Sequence, residues 1–332
     1  MKSHVVERFD DTAVNCLTGS YARLARKRGR PVDEQSVFEH GNGYLFQAGL
    51  DEAGYPEYVF PVDETAIEGM RNCGFTVDRV PIDPADIAGQ LAFLTEAYAG
   101  VVVWVNTAHL SYADVYRDNV PYLHAVVVEA VAEDRATVDV LDCLVVDLKP
   151  FSCRARLSVT DLERAVGDRI RSEAHDGMGY FCAITDEGPP SASSGAAGTV
   201  PDLGSALVRQ AGRFAAEKRF HSAIRRYQRL CEECFTDTPD RAAHAARRLF
   251  HHSTVLYAAP ALTLMERSLR AAGAPESTLH LHEAALRDWQ AMGVLALRFE
   301  ATAAPSVLKR INDRFAALDQ TTTTLWESIA AW

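Results

Sequence analysis

The first regular pattern of hydrophobic and polar positions lies between residues 10 and 31. Leu17, Tyr21, Leu24 and Ala25 are spaced at i, i+4, i+7 and i+8, which places them on one face of a helix. A cluster of Asp, Thr and Asn residues precedes them and offers side chains that can cap a helix N-terminus. Gly and Pro follow, and both residues end helices. The pattern predicts a helix that starts at the capping cluster and stops near residue 28.

Three apolar runs further along the chain are typical of buried strands. Residues 100–105 and 123–131 are rich in valine, and residues 136–142 alternate between polar and β-branched positions. A short polar turn at residues 133–135 separates the last two runs. These two runs are therefore predicted to form a β-hairpin.

Helical patterns precede these strands, and the C-terminal part of the chain contains helical patterns alone. Residues 66–73 and 84–98 have the spacing of helices, and residues 203–332 are helical throughout. Residues 186–202 are rich in Gly, Ser, Pro and Ala, which is typical of a flexible linker. We predict an α+β fold with a first domain at residues 1–185, a linker, and an all-helical C-terminal bundle.

Composition and charge narrow the expected partners. The chain has 34 Lys and Arg against 45 Asp and Glu, a net charge of −11, without a dominant basic stripe. Neither nucleic acid nor an anionic membrane is therefore expected as a partner. An apolar leader segment is not apparent, so we expect a cytoplasmic protein. Its seven cysteines lack the spacing of a disulfide scaffold and are expected to be reduced.

The candidate chemistry centres on Cys16, which stands where the capping cluster meets the first helix. A helix N-terminus lowers the pKa of a thiol, and the thiolate is the reactive form of cysteine. His124 opens the second predicted strand, and Asp142 ends its partner strand 18 residues later. A hairpin of this length returns the carboxylate to the imidazole. Cysteine, histidine and an orienting acid form the triad of an activated thiol.

Each of these residues also has a purely structural interpretation. An isolated cysteine is usually a small buried hydrophobe, and His124 alone would be read as a core histidine. The order of the three residues favours the catalytic interpretation. Asp139 competes with Asp142 for the third role, but it faces the opposite side of the strand. We favour Asp142 because it lies at the strand exit.

Several short segments carry a family resemblance. Asn-Cys-Leu-Thr-Gly at residues 15–19, the glycine-rich turn at residues 38–46, and residues 106–112 and 121–128 around the histidine strand resemble motifs of the butirosin biosynthesis protein H family. The fold of that family is similar to that of papain-like and bacteriocin-leader peptidases. The resemblance covers roughly residues 10–182.

The resemblance implies an acyltransferase of secondary-metabolite and antibiotic biosynthesis. An acyl or aminoacyl group would pass from the 4'-phosphopantetheine thioester of an acyl or peptidyl carrier protein to Cys16, and then to a small-molecule amine. His124 would be the base and Asp142 the orienting acid. The basic cluster at residues 23–30 either receives an acidic carrier protein or is a solvated helix end. The sequence does not fix the oligomeric state, and a homodimer is kept as one option.

Papain-like enzymes form the oxyanion hole from the backbone N–H of the cysteine and an upstream amide side chain. Asp10 lies six residues before Cys16, but an ionised carboxylate cannot donate a hydrogen bond. Asn15 is the nearest amide, and it serves equally well as a helix cap.

Tyr112, Asn106 and Tyr122 are the candidate substrate-binding residues. Together with Trp104 and Tyr116, the two tyrosines would line an acyl pocket near the histidine strand. Aromatic side chains at these positions suit a protein core equally well.

Other functions remain open from the sequence. The same triad would serve a cysteine peptidase, an amidase or a thioesterase, and a non-catalytic scaffold that binds a carrier protein would not need the triad. Cys231 and Cys234 form a C-x-x-C on a predicted helix, which favours core packing over a metal site. A phosphate-binding loop and a dinucleotide fingerprint are not found, so ATP and NAD are not expected.

Overall fold

The computed structural model of the chain describes residues 4–118, 121–147, 149–168, 170, 179–186 and 203–332. Apart from Asp186, the predicted linker lies outside the described residues. The strands are β1 (His4–Phe9), β2 (Gln47–Leu50), β3 (Pro56–Val59), β4 (Phe75–Pro81), β5 (Val101–Asn106), β6 (Leu123–Val131), β7 (Thr137–Val145), β8 (Phe151–Ser158) and β9 (Tyr180–Asp186).

The helices alternate with strands in the first half of the chain and are continuous in the second. They are α1 (Cys16–Lys27), α2 (Glu34–His40), α3 (Val62–Asn72), α4 (Ile87–Tyr98), α5 (Asp114–Asp118), α6 (Val159–Gly167), α7 (Leu203–Ala216), α8 (Lys218–His221), α9 (Ala223–Phe235), α10 (Pro239–Phe250), α11 (Ala258–Ala271), α12 (Glu276–Thr302) and α13 (Pro305–Ala330). A 3₁₀ turn covers Thr107–His109, and a π-helical turn covers His251–Leu256. The α+β class is confirmed.

The first compact unit is built on a seven-stranded antiparallel sheet. Its strand order is β1-β8-β7-β6-β5-β9-β4. The central strands are almost entirely buried, in keeping with their valine-rich sequences. Helices α4 and α6 close a core over β5 to β8, and α1 packs against β6 and β7. The predicted β6–β7 hairpin is confirmed, and β6 has the predicted bounds.

The second compact unit comprises the helices from α7 onward and residues 38–62, which contain the β2–β3 hairpin. The sequence predicts residues 38–62 to lie in the first domain, but in the structure they pack with the helices. The reason is aromatic packing: the ring of Tyr58 lies 5.2 Å from that of Tyr227 and 4.8 Å from that of Trp289. Tyr58 and Tyr227 also stack nearly parallel, an arrangement that aromatic pairs favour.

Candidate active site

The candidate nucleophile Cys16 is the first residue of α1. Asn15 is the N-cap, with extended backbone angles, and its Oδ1 accepts hydrogen bonds from the backbone N–H groups of Leu17 (2.9 Å) and Thr18 (3.3 Å). The cap holds the cysteine at the positive end of the helix dipole, which favours an anion. Cys16 is partly exposed. The thiol is therefore accessible at the N-terminus of α1.

The structure places the imidazole of His124 between this thiol and a buried carboxylate. His124 is the second residue of β6 and is opposite Val105 of β5. Its Nε2 lies 2.9 Å from Asp142 Oδ1. Cys16 lies close enough to the ring to raise the pKa of His124 through its charge and a side-chain hydrogen bond. Since Nε2 is used by Asp142, Nδ1 is the ring nitrogen left for the thiol.

Asp142 is completely buried, and its hydrogen bonds satisfy both carboxylate oxygens. Oδ1 accepts from His124 and from the backbone N–H of Leu144 (3.1 Å). Oδ2 accepts from the hydroxyls of Tyr112 (2.7 Å) and Tyr116 (2.5 Å). A buried charge is tolerated only with such partners, and here they also fix the carboxylate against the imidazole.

The electrostatics of this cluster favour a protonated imidazole. Burial lowers the pKa of His124, but the negative charges of Asp142 and Cys16 and the hydrogen bonds to both outweigh it and raise the pKa to about 10. Burial would raise the pKa of Asp142, but the imidazole and the two tyrosine hydroxyls lower it below its ordinary value. At neutral pH the pair is an imidazolium and a carboxylate.

A donor for a developing oxyanion lies beside the thiol. The N–H groups of Val14 and Asn15 bond to Glu34, and those of Leu17 and Thr18 bond to Asn15. Among the described residues, the backbone N–H of Cys16 has no hydrogen-bond partner. Oδ1 of Asn15 is an acceptor and is engaged in the helix cap, so a second donor from this residue would be its amide nitrogen.

Two carboxylates considered from the sequence lie away from this cluster. Asp10 has 84% of its side chain exposed, and Lys149 Nζ lies 3.2 Å from its Oδ1. It is not brought to the thiol, because β1 is at the edge of the sheet. Asp139 instead forms a two-pronged ion pair with Arg156, with N–O distances of 2.8 and 3.1 Å.

The proposed substrate-binding residues have different environments. Tyr112 is used to hold Asp142, as is Tyr116. The Tyr122 ring meets the His124 ring edge-on at 5.9 Å and so borders the site. Asn106 caps the 3₁₀ turn, with its Oδ1 accepting from Ala108 N, and donates to the backbone oxygen of Asp168 at 2.8 Å. Its amide and carbonyl are therefore engaged away from the triad.

Two features of the site were not predicted. The sequence analysis named Tyr112 and Tyr116 as pocket residues, but not as donors to Asp142. Their Tyr-x-x-x-Tyr spacing ahead of the histidine strand is a signal that could have indicated a joint role. Glu34 was not named at all, although its carboxylate accepts hydrogen bonds from the turn directly before Cys16. Only the tertiary structure reveals that contact.

The basic cluster at residues 23–30 is partly paired with acids of the same unit. Arg23 pairs with Asp11 at 2.8 Å, and Lys27 pairs with Glu129 at 3.4 Å. Arg30 donates to the backbone oxygen of Gly74. Asp11 and Glu129 are two carboxylates for a cluster of five Lys and Arg residues, and a backbone oxygen does not cancel a charge.

All seven cysteines are free, and the two of the C-x-x-C are buried in α9. Across the part of the chain that the structure describes, no three His, Cys, Asp or Glu side chains are grouped so that they could hold a metal ion. None of the described helices combines the length and apolarity needed to cross a lipid bilayer.

Comparison with known proteins adds no family assignment. A scan against models of protein families finds no match to the chain, and a search of curated protein sequences finds none either. The functional interpretation therefore depends on the geometry of the site and on the motif resemblance.

Proposed function

We propose that the chain is a cysteine-dependent acyltransferase with a papain-like site, in which Cys16 is the nucleophile, His124 the acid–base and Asp142 its orienting carboxylate. One observation carries the proposal: the His124 imidazole lies 2.9 Å from the buried Asp142 and close enough to Cys16 for that side chain to raise the pKa of the ring. This is the arrangement of an activated nucleophile, a base and an orienting group.

Acylation begins from a thiolate next to an imidazolium. The raised pKa of His124 supports this starting point, because it keeps the imidazole protonated. The thiolate attacks the carbonyl carbon of a thioester donor, and the Cys16 N–H stabilises the oxyanion. When the tetrahedral intermediate collapses, the donor sulfur leaves and takes the proton from His124. The acyl group is then bound to Cys16 as a new thioester.

Deacylation uses the same groups in reverse. A neutral amine attacks the Cys16 thioester, neutral His124 takes a proton from the attacking nitrogen, and the Cys16 thiolate leaves. The products are an amide and the original thiolate–imidazolium pair. Sulfur leaves more readily than nitrogen once the imidazole has taken the proton, so the intermediate suits transfer to an amine.

The partners follow from the motif resemblance. The donor is an acyl or aminoacyl group on the 4'-phosphopantetheine of a carrier protein, the acceptor is a small-molecule amine, and the setting is natural-product biosynthesis. The phosphopantetheine belongs to the donor substrate.

The test is intact-mass analysis of the chain after mixing with an acylated carrier protein or a short acyl thioester. We expect a mass gain equal to the acyl group that peptide mapping places on Cys16 and that an added amine discharges. Cys16→Ala should abolish the gain, whereas Cys73→Ala should keep it. Cys73 is a suitable control because it is also partly exposed, but burial raises its pKa to about 11.

The other outcomes separate the alternatives. Discharge by water alone would make the protein a thioesterase, and cleavage of a peptide or amide without an amine acceptor would make it a peptidase or amidase. Failure of Cys16 to react with any thioester, amide or peptide, with the fold intact, would contradict the enzymatic proposal and favour a scaffold.

A further inference from the structure

The carboxylate of Glu34 is bound to the turn that delivers Cys16. Its Oε2 accepts from Val14 N–H at 2.7 Å, and its Oε1 accepts from Asn15 N–H at 2.8 Å. Oε1 also accepts from the hydroxyl of Thr18, in the first turn of α1, at 2.7 Å. Three donors on both sides of Cys16 therefore meet one carboxylate from a different helix.

These contacts determine the backbone next to the nucleophile. Two consecutive N–H groups before a helix have no partner in the helix itself. By taking both, Glu34 fixes the extended conformation of Asn15, and Asn15 in turn caps α1. The position of the Cys16 thiol against His124 depends on this turn, since Cys16 is the next residue along the chain.

We infer that Glu34 is a positioning residue for Cys16 and that its ionised carboxylate holds the turn at residues 14–15 so that the thiol meets the imidazole. The inference rests on the proposed function, because it assigns a role in reaction at Cys16. The reactivity of Cys16 then depends on the charge of the Glu34 carboxylate, which contacts the backbone around Cys16 and not the substrate.

The ionisation of Glu34 adds a pH dependence to this role. Burial raises the pKa of Glu34 to about 7, although the bonds from Val14, Thr18 and Asn15 and the charge of Arg23 act in the opposite direction. A proton on Glu34 removes the negative charge that strengthens its hydrogen bonds. As the pH falls through about 7, the turn at residues 14–15 should therefore be held less firmly.

The other charged groups around Glu34 do not mask this transition. Arg23 of α1 is paired with Asp11. Cys143 of β7 lies close enough to sense the charge of Glu34, but burial and Asp142 raise its pKa well above its ordinary value, so it remains a thiol. Asp33, which precedes Glu34, accepts a hydrogen bond from Ser36 N–H at the start of α2.

The experiment measures two rates on the full chain between about pH 5.5 and 8.5, a range centred on the transition expected for Glu34. One is alkylation of Cys16 by iodoacetamide, followed by peptide mapping. The other is hydrogen exchange at the amides of Val14 and Asn15, expressed as protection factors. The variants are Glu34→Gln, Glu34→Asp and Glu96→Gln, the last being the same substitution at an exposed position of α4 in the same unit.

In the parent chain, both the alkylation rate and the protection should fall together as the pH drops through about 7. Glu34→Gln should reduce both about tenfold at pH 8 and remove the inflection, because a hydrogen bond lost at the turn is worth about one order of magnitude. Glu34→Asp, which keeps the charge on a shorter side chain, should keep the inflection at an intermediate rate. Glu96→Gln should behave as the parent.

The inference is overturned if Glu34→Gln loses amide protection but keeps the parent rate and pH profile of alkylation. It is also overturned if alkylation becomes faster when Glu34 is neutralised. If Glu34→Gln does not fold, Glu34→Asp decides, since loss of its inflection contradicts the inference. Failure of the proposed function appears elsewhere: His124→Ala would leave Cys16 alkylation unchanged, whatever Glu34 does.

Discussion

Asp142 is the residue on which the candidate site depends most. Ionising a fully buried carboxyl group is costly. Without partners for its charge, the pKa of the group would rise and it would stay protonated. Four donors, from His124, Leu144, Tyr112 and Tyr116, offset this cost. The two tyrosines therefore belong to the site although neither touches the thiol through any contact described here.

We predict that Asp142→Asn slows alkylation of Cys16 at pH 7 by about 100-fold, the lower end of what an acid–base group contributes. An amide cannot supply the negative charge that keeps the imidazole protonated, and burial alone lowers the pKa of His124. The measurement is the iodoacetamide rate at Cys16.

Asp139→Asn is the matched control on the same strand. Its ion pair with Arg156 is substantially exposed, so its loss should cost little stability and leave alkylation unchanged. Equal effects of the two substitutions would contradict the assignment of Asp142 as the orienting acid.

Sequence spacing could indicate the residues of the site but not the contacts among them. His124 and Asp142 lie on a local hairpin, so their meeting follows from a short-range pattern. The sequence pattern does not pair the elements that carry the tyrosine donors and Glu34 with the elements of the triad. Asp10 has the spacing of an oxyanion residue, but it follows the edge strand β1 and its side chain is exposed. Hydrogen bonds of this kind depend on long-range packing that periodicity does not encode.

At the scale of elements, α1 is positioned by very close packing at its first turn. A Cβ atom on Gly19 would lie 2.2 Å from the Cβ of Ala13 and 3.4 Å from that of Cys143. Ala13 is itself tied to β7 by a 3.0 Å bond from its N–H to the oxygen of Cys143. Only glycine lets the helix approach this segment, so Gly19 contributes to where the thiol lies.

We predict that Gly19→Ala destabilises the first unit by about 1–3 kcal/mol, the usual cost of overpacking, despite the better helix propensity of alanine. Gly212→Ala in α7 is the control: nothing lies within 4 Å of the added Cβ, so it should stabilise by about 0.5–1 kcal/mol. Urea unfolding of the two variants should therefore shift in opposite directions. A neutral or stabilising Gly19→Ala would show that α1 can move aside.

Elements with a strong local pattern were predictable, and those defined by their neighbours were not. The bounds of β6 follow from its valine-rich run, because such a run is typical of a buried strand. β4 contains Asp78 and Arg79 and is recognised as a strand only through its antiparallel partner β9, about a hundred residues later. The N-terminal strand β1 is equally polar and depends on β8.

At the scale of the whole molecule, the His124–Asp142 pair links stability to pH. The folded-state pKa of His124 is raised from 6.5 to about 10, so its stabilisation is complete below pH 6.5 and is lost as the pH rises towards 10. The folded-state pKa of Asp142 is lowered, so its contribution is present above its ordinary value of 3.8 and is lost as the pH falls. The pair should stabilise most between these limits.

The difference in the free energy of unfolding between the parent chain and His124→Leu should therefore be nearly constant between about pH 5.5 and 6.5 and shrink from there to about pH 9. Glu34 titrates within this range in both proteins, so its contribution cancels in the difference. The measurement is urea unfolding at several pH values. A difference that is constant or grows with pH would contradict a raised His124 pKa.

Residues 38–62 pack in the second unit although they precede most of the first unit in the chain, and this order matters during protein synthesis. The ribosome releases Tyr58 long before it makes Tyr227 and Trp289, the rings on which Tyr58 packs. At usual translation rates this interval is on the order of ten seconds. During that time the aromatic hairpin is outside the ribosome without the rings that bury it in the folded chain, so Tyr58 stays exposed until the helices are made.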